Sequence, residues 1–100
     1  MAAEVIYKAA AEAEIEIAFR EYESQQSGLG TQFLDELHRI EGHLRLNPAL
    51  YQRIDGDLRR AVLRRFPYGL FYVIDDEQVS ILACLHLRRD PRSRADLVSR

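Results

Sequence analysis

The apolar residues change their spacing halfway along the chain, and this change constrains the fold more than any other feature of the sequence. Between residues 9 and 46 they recur every three or four positions, which is the spacing of amphipathic helices. From residue 58 onwards they are grouped into short runs rich in β-branched and aromatic residues, as in strands. This pattern predicts a two-layer α+β domain, in which helices pack across one face of a sheet.

The first half of the chain predicts a short strand at residues 3–7 followed by two helices. The first helix covers residues 9 to about 26. Gly28 lies in the break that follows it, since glycine readily adopts the left-handed conformation that closes many helices. Thr31 is the expected N-cap of the second helix. The pair Asn47–Pro48 ends that helix, because the residue before a proline is disfavoured in the helical region. Two amphipathic helices joined by a short connection predict an antiparallel hairpin.

The second half predicts three strands separated by turns, at residues 58–66, 68–74 and 79–87. The middle run carries apolar side chains on both of its faces, which is typical of a central strand. After Leu87 the pattern becomes polar, with a turn at Asp90–Pro91 and a polar tail from about residue 92. The predicted order is strand, helix, helix, strand, strand, strand, in one domain of residues 1–100 with a mostly antiparallel sheet.

Composition and charge narrow the classes of function. The net charge of −2 argues against stable non-specific nucleic-acid binding, because that affinity depends on many neutralised phosphates. The charge is uneven, however: residues 1–50 hold nine acidic and four basic side chains, and residues 51–100 hold seven acidic and ten basic ones. A local basic face in the second half is therefore compatible with the overall charge.

Several features favour a cytoplasmic protein. No apolar run approaches the roughly 20 residues that span a bilayer, and the N-terminus lacks the pattern of a secretory signal. Cys84 is the single cysteine, so no disulfide can form within the chain. Cys84 and His86 share a strand face, but two ligands are too few for a closed zinc site, so we expect no metal and no other cofactor.

Four strings in order carry a resemblance to a known family. They read AEAEIEIAFREYE in the first helix, GLGTQFLDELHRIEGHLRLNP across the break and second helix, RRAVLRRFPYGLFYVID in the strand pair, and VSILACLHLRRDP at the last strand and corner. From about residue 4 to residue 92 the chain resembles the ParE/RelE superfamily of toxins. The Phe–Pro–Tyr corner and the His-x-x-Arg-Asp-Pro ending are most similar to the ParE branch.

The resemblance implies a cytoplasmic bacterial toxin that is held inactive by an antitoxin, whose C-terminal segment wraps around it. In the ParE branch the implied target is DNA gyrase. In the RelE branch it is ribosome-bound mRNA, which is cleaved without a metal. A third alternative is a non-toxic remnant that still binds an antitoxin, which would suit the acidic balance of the chain.

The chemistry of RNA cleavage decides between the first two branches. Cleavage without a metal requires a base, an acid and a cation at the phosphate. Arg60, Arg64 and His86 are the residues that would serve, although His86 is also explained as a structural strand residue. The tail after Pro91 contains no Tyr, His or Lys. A gyrase inhibitor needs a binding surface and no catalytic group, so we predict a toxin of the ParE branch.

Two sets of residues are the expected contact surfaces. The target-binding set consists of arginines of the last strand and tail, which are otherwise explained as a solvated terminus: Arg88, Arg89, Arg92 and Arg94. The antitoxin-binding set consists of aromatic residues that we expect to exceed what a two-layer core can bury: Phe66, Tyr68, Phe71 and Tyr72. The alternative for the second set is that all four belong to the core.

Overall fold

A computed structural model describes residues 2–90 and 92–100, and these contain five strands and three helices. The elements in chain order are β1 (Glu4–Tyr7), α1 (Ala9–Gln25), α2 (Leu29–Leu46), β2 (Arg53–Asp55), β3 (Leu58–Val62), β4 (Tyr68–Asp75), β5 (Gln78–His86) and α3 (Arg94–Val98). The predicted α+β class, the helical hairpin and the three later strands are confirmed. Within the described residues, no helix combines the length and apolar composition that crossing a bilayer requires.

The sheet has the order β1-β5-β4-β3-β2, which places β4 at its centre, as its two apolar faces predicted. β1 runs parallel to β5, and the other neighbours are antiparallel. Between β4 and β5 the register shifts, because Phe71 lies opposite Ala83 whereas Tyr72 lies opposite Ile81. Leu82 is therefore an extra residue, which makes a bulge in β5.

The start of α2 differs from the prediction, because the side chain of Glu23, and not that of Thr31, binds the first backbone amides of the helix. Gly28 adopts the left-handed conformation with φ of 90° and is itself the N-cap residue. The Glu23 carboxylate accepts hydrogen bonds from the backbone N–H groups of Gly28 and Gly30, both at 2.9 Å. These bonds satisfy amides at the start of α2, so the helix begins at Leu29, two residues before the predicted cap.

Two other elements were not predicted. β2 is three exposed residues long, and it pairs with β3 as the outer strand of the sheet. The tail that was expected to be only polar contains α3, which begins with a capping box between Ser93 and Asp96. The turn predicted at Asp90–Pro91 lies partly outside the described residues, because Pro91 is not among them.

The main core lies between the helical hairpin and one face of the sheet. α2 buries there an apolar stripe with the spacing that the sequence predicted for an amphipathic helix: Phe33, Leu37, Ile40 and Leu44. α1 contributes its small residues Ala11 and Ala18 to the same core. Tyr22 and Phe33 meet the aromatic rings at the start of β4, with neighbouring ring centroids 4.7 to 6.0 Å apart. This packing holds the start of β4 against both helices.

The opposite face of the sheet is partly covered by α3. Leu97 is completely buried against a second cluster that includes Leu58, Phe71 and Leu85. Arg94 binds Asp57 before β3, with its Nε 2.9 Å from the carboxylate. Because α3 has five residues, it depends on these tertiary contacts for its stability.

Beyond the end of β1, the unpaired edge of β5 is covered by the side chains of Glu14 and Arg100. β1 pairs with β5 as far as Ile81, after which no strand formed by residues 2–90 or 92–100 lies beside β5 on that side. The Glu14 carboxylate accepts a hydrogen bond from the backbone N–H of Cys84 at 3.1 Å. Arg100 donates to both oxygens of Glu14 and to the carbonyl of Leu82, each at 2.9 Å. These bonds occupy backbone groups that a further strand would otherwise use.

A carboxylate of α2 fixes the corner between β3 and β4. Glu36 is buried, and it accepts hydrogen bonds from the backbone N–H groups of Arg64 at 2.7 Å and Arg65 at 3.1 Å. Because these amides bind Glu36 and have no partner on β4, β3 ends at Val62 and does not continue to residue 66 as predicted. The corner is thereby attached directly to the helical layer.

Replacing Glu36 by alanine should lower the free energy of unfolding by about 1–3 kcal/mol, because two amides of the corner lose their partner. Urea denaturation followed by circular dichroism measures this loss. Asp35→Ala is the matched control, since Asp35 is the neighbour on the same helix and is less buried, and its loss should change stability by less than about 0.5 kcal/mol. Equal effects of the two substitutions would contradict the proposed role of the Glu36 carboxylate.

The buried thiol of Cys84 makes stability depend on alkaline pH. Burial raises the pKa of Cys84 from the ordinary value of 9.0 to about 12, and Glu14 adds to the effect. The unfolded chain therefore releases the thiol proton at a lower pH than the folded chain. The stabilising contribution is complete below pH of about 9 and is lost as the pH rises towards about 12.

At pH 10 this difference should reduce the free energy of unfolding by about 1.4 kcal/mol relative to pH 8. Urea denaturation of the wild type and of Cys84→Ala at both pH values isolates the effect. The cavity left by the alanine lowers stability at both pH values, and Tyr72, whose pKa burial raises to about 12, is present in both proteins. Parallel losses in the two proteins would mean that the thiol does not cause the pH dependence.

Candidate functional site

The corner between β3 and β4 lies beside the end of β5, and together they form the most arginine-rich part of the molecule. Tyr68 is directly opposite His86, and the backbone N–H of Leu87 donates to the carbonyl of Pro67 at 2.9 Å. Two of the predicted catalytic candidates, Arg64 and His86, and two of the four predicted target-binding arginines, Arg88 and Arg89, come from these segments or directly follow them. Their side chains nevertheless do not converge on one point.

His86 braces the turn that follows β5. Its Nδ1 accepts hydrogen bonds from the backbone N–H groups of Arg88 at 3.1 Å and Arg89 at 3.3 Å. These bonds assign the proton of the neutral ring to Nε2. The ring also packs edge-on against Tyr68, with the centroids 5.2 Å apart. The structural explanation of His86 therefore fits its contacts, and proton transfer at Nδ1 would break the turn.

The three residues predicted for RNA cleavage are not brought together. Arg60 lies opposite Phe71, so its side chain is on the face of the sheet that carries the second cluster. His86 lies opposite Tyr68, which belongs to the main core on the other face. Arg64 is exposed on the corner itself. Because the sheet separates Arg60 from His86, these residues do not form a shared acid–base site.

The four predicted target-binding arginines have different environments. Arg94 is engaged with Asp57, and its hydrogen bond lowers the pKa of that carboxyl. Arg89 donates to the hydroxyl of Tyr68 at 3.1 Å and lies 4.0 Å from Glu21. Arg88 and Arg92 are exposed, and their side chains have no polar partner among the described residues. Target binding by this set stays a prediction, and Arg94 is the member least available for it.

The four aromatic residues predicted to contact the antitoxin are all buried. Phe66, Tyr68, Phe71 and Tyr72 are each at most 9% exposed. The expectation that they exceed the capacity of the core was wrong, because α3 covers the second face and encloses Phe71 with Leu97. Antitoxin contact through these four side chains stays a prediction. In this structure their surfaces are already used within the chain.

A groove between α1 and α2 was missed by the sequence interpretation. It has a volume of about 330 Å³, and its lining is mainly apolar, with Ile15, Phe19 and Leu34 among its walls. Glu41 lies at its edge, where it accepts a hydrogen bond from Tyr7 at 2.8 Å. The available signal in the sequence was the apolar residues Phe19 and Leu34, which lie on the two amphipathic helices.

The sequence interpretation also did not predict that the helical acids Glu14, Glu23 and Glu36 bind backbone amides elsewhere in the chain. The positions of these acids on the helices were evident from the sequence. For Glu14 and Glu36, however, the amides that they bind are remote in sequence. Among residues 2–90 and 92–100, no three His, Cys, Asp or Glu side chains are grouped as metal ligands would be. The described site is therefore a surface of arginines and apolar residues.

The comparisons with known proteins identify the family. The family model described as the ParE toxin of a type II toxin–antitoxin system, parDE, matches residues 5–91. A solved structure of the "Chromosomal ParDE TA system from P. aeruginosa" contains a chain similar in fold, with a TM-score of 0.75 and 12% sequence identity. The similarity covers 86% of this chain and 97% of that one. Comparison with curated proteins finds no match. Since the family model covers most of the sequence, this chain belongs to the ParE family of toxins of type II toxin–antitoxin systems.

Proposed function

We propose that this toxin inhibits DNA gyrase in the bacterial cytoplasm and is neutralised by a cognate antitoxin. The observation that carries the choice of target is the position of Arg60 and His86 on opposite faces of the sheet. Cleavage of RNA requires an acid, a base and a cation around one phosphate, which this arrangement does not supply from those residues. Inhibition of gyrase requires a surface that binds the enzyme in its DNA-cleaved state.

The antitoxin is proposed to bind through a C-terminal segment that wraps around the toxin. The groove between α1 and α2 offers a concave apolar surface for side chains of such a segment, as grooves do for amphipathic helices. The excess of basic over acidic residues in the second half of the chain would attract acidic residues of the same segment. The similar solved structure is that of a ParDE toxin–antitoxin system, which supports an antitoxin partner for this chain as well.

The direct test incubates the purified toxin with gyrase, ATP and supercoiled plasmid, followed by detergent and protease. We expect linear DNA to accumulate, because the trapped enzyme holds a cleaved duplex, and we expect an excess of the cognate antitoxin to abolish this product. Supercoiling that proceeds normally, together with mRNA cleavage in a translation reaction, would reject gyrase as the target.

Arg64→Ala separates the two mechanisms in the same assays. Arg64 is exposed, so the substitution should leave the fold intact. A ribonuclease that used this cation would lose about 100-fold or more of its activity. We expect the gyrase inhibitor to change much less than that, and the thermal unfolding midpoint of the variant provides the check on folding.

A further inference from the structure

One part of the sheet face opposite the hairpin is left uncovered by α3. On this face Val62 is 44% exposed and Leu87 is 38% exposed, although both lie beside the fully buried residues of the second cluster. Val62 is the last residue of β3, and Leu87 directly follows β5. The uncovered area thus lies at the end of the sheet where the corner between β3 and β4 meets the end of β5.

Gly69 forms the floor of this area. It lies opposite Val62 on the neighbouring strand. A Cβ atom at position 69 would lie 3.1 Å from Cδ2 of Leu87 and 3.2 Å from Cγ of Arg60. The side chains of Leu87 and Arg60 therefore both rest on the bare backbone of Gly69. We call Arg60, Val62, Gly69 and Leu87 the corner patch.

The charge of the corner patch is positive and uncompensated. Arg60 is exposed, and its guanidinium has no hydrogen-bond or ion-pair partner among the described residues. Arg88, which follows Leu87, is also exposed, and its guanidinium has no such partner among the described residues. The acidic turn of residues 75–77 is at the other end of β4, roughly 20 Å from Gly69 at the usual rise per strand residue. A partner would thus meet an apolar surface bordered by arginine.

We propose that the corner patch is the surface through which the toxin contacts gyrase, an inference that rests on the proposed function. The occupant is a segment of the gyrase protein that presents a carboxylate beside an apolar side chain. The carboxylate pairs with the guanidinium of Arg60, whose planar fork suits two parallel hydrogen bonds. The apolar side chain packs against the exposed surfaces of Val62 and Leu87, which lie beside the stem of Arg60. An arginine beside exposed apolar residues is a common centre of binding energy in protein interfaces.

A protein segment suits the corner patch better than nucleic acid does. Binding to a phosphate backbone draws its affinity from many cations that neutralise successive phosphates. The corner patch instead has one guanidinium on an apolar floor, with Arg88 beside it. Such a mixed surface matches the composition of the centre of a protein interface.

The test measures the binding of purified toxin variants to immobilised gyrase by biolayer interferometry. Arg60→Glu should weaken binding by about 30-fold or more, because it places two carboxylates against each other at the centre of the contact. Val62→Glu tests the apolar part and should weaken binding in the same direction. Arg53→Glu is the matched control and should bind as the wild type does. Arg53 is exposed and lies opposite Arg59, on the other face of the sheet from Arg60.

Thermal unfolding verifies that each variant is folded, and binding to the cognate antitoxin shows whether the effect is confined to gyrase. If the wild type binds gyrase and both corner variants bind equally well, the docking surface is wrong while the proposed function stands. If the wild type does not bind gyrase at all, both are wrong. Loss of antitoxin binding alone, or of binding to a DNA duplex alone, would also overturn the proposal, since it would assign the patch to a different partner.

Discussion

The buried carboxylate of Glu36 is the interaction on which the rest of the functional end depends. By binding the amides of Arg64 and Arg65, it ends β3 and ties the corner to α2. The corner then sets where β4 begins relative to β3, which places Gly69 opposite Val62, while the turn between Asp75 and Gln78 and the Leu82 bulge place Tyr68 opposite His86. A single polar contact between the two layers thus fixes the corner from which the pairing of β3 with β4 begins. Glu23 and Glu14 act in the same manner at the start of α2 and at the edge of β5.

The distribution of small and charged residues suits a binding protein more than a catalyst. The face under the hairpin is filled with aromatic and aliphatic side chains, and it includes the ring of His86 against Tyr68. The opposite face is divided between α3 and the corner patch, where an exposed arginine lies on a glycine. Arg60 and His86 are thereby kept on separate faces, while apolar surface and positive charge are brought together at the corner patch. This arrangement fits the proposed binding of gyrase.

The hairpin and the central position of β4 could be predicted because their apolar periods are long and regular. α3 could not be, since Leu97 and Val98 are its two large apolar residues and the contacts of this segment join residues 37 and 86 positions apart in sequence. For the same reason the burial of Phe71 was underestimated, because its cover comes from α3. The separation of Arg60 from His86 depends on the strand register. That register follows from the Glu36 contact and the Leu82 bulge, and neither has a signature in the local sequence.

The closed edge of β5 has a consequence for how copies of the protein behave towards one another. An unpaired strand edge is a template on which a second molecule can extend the sheet, and such pairing leads to aggregation. At Leu82 and Cys84 the backbone groups of that edge are already bound by Arg100 and Glu14, and the bulge twists the strand locally. The ion pair between two chain segments remote in sequence therefore contributes to colloidal solubility in addition to the packing of α3.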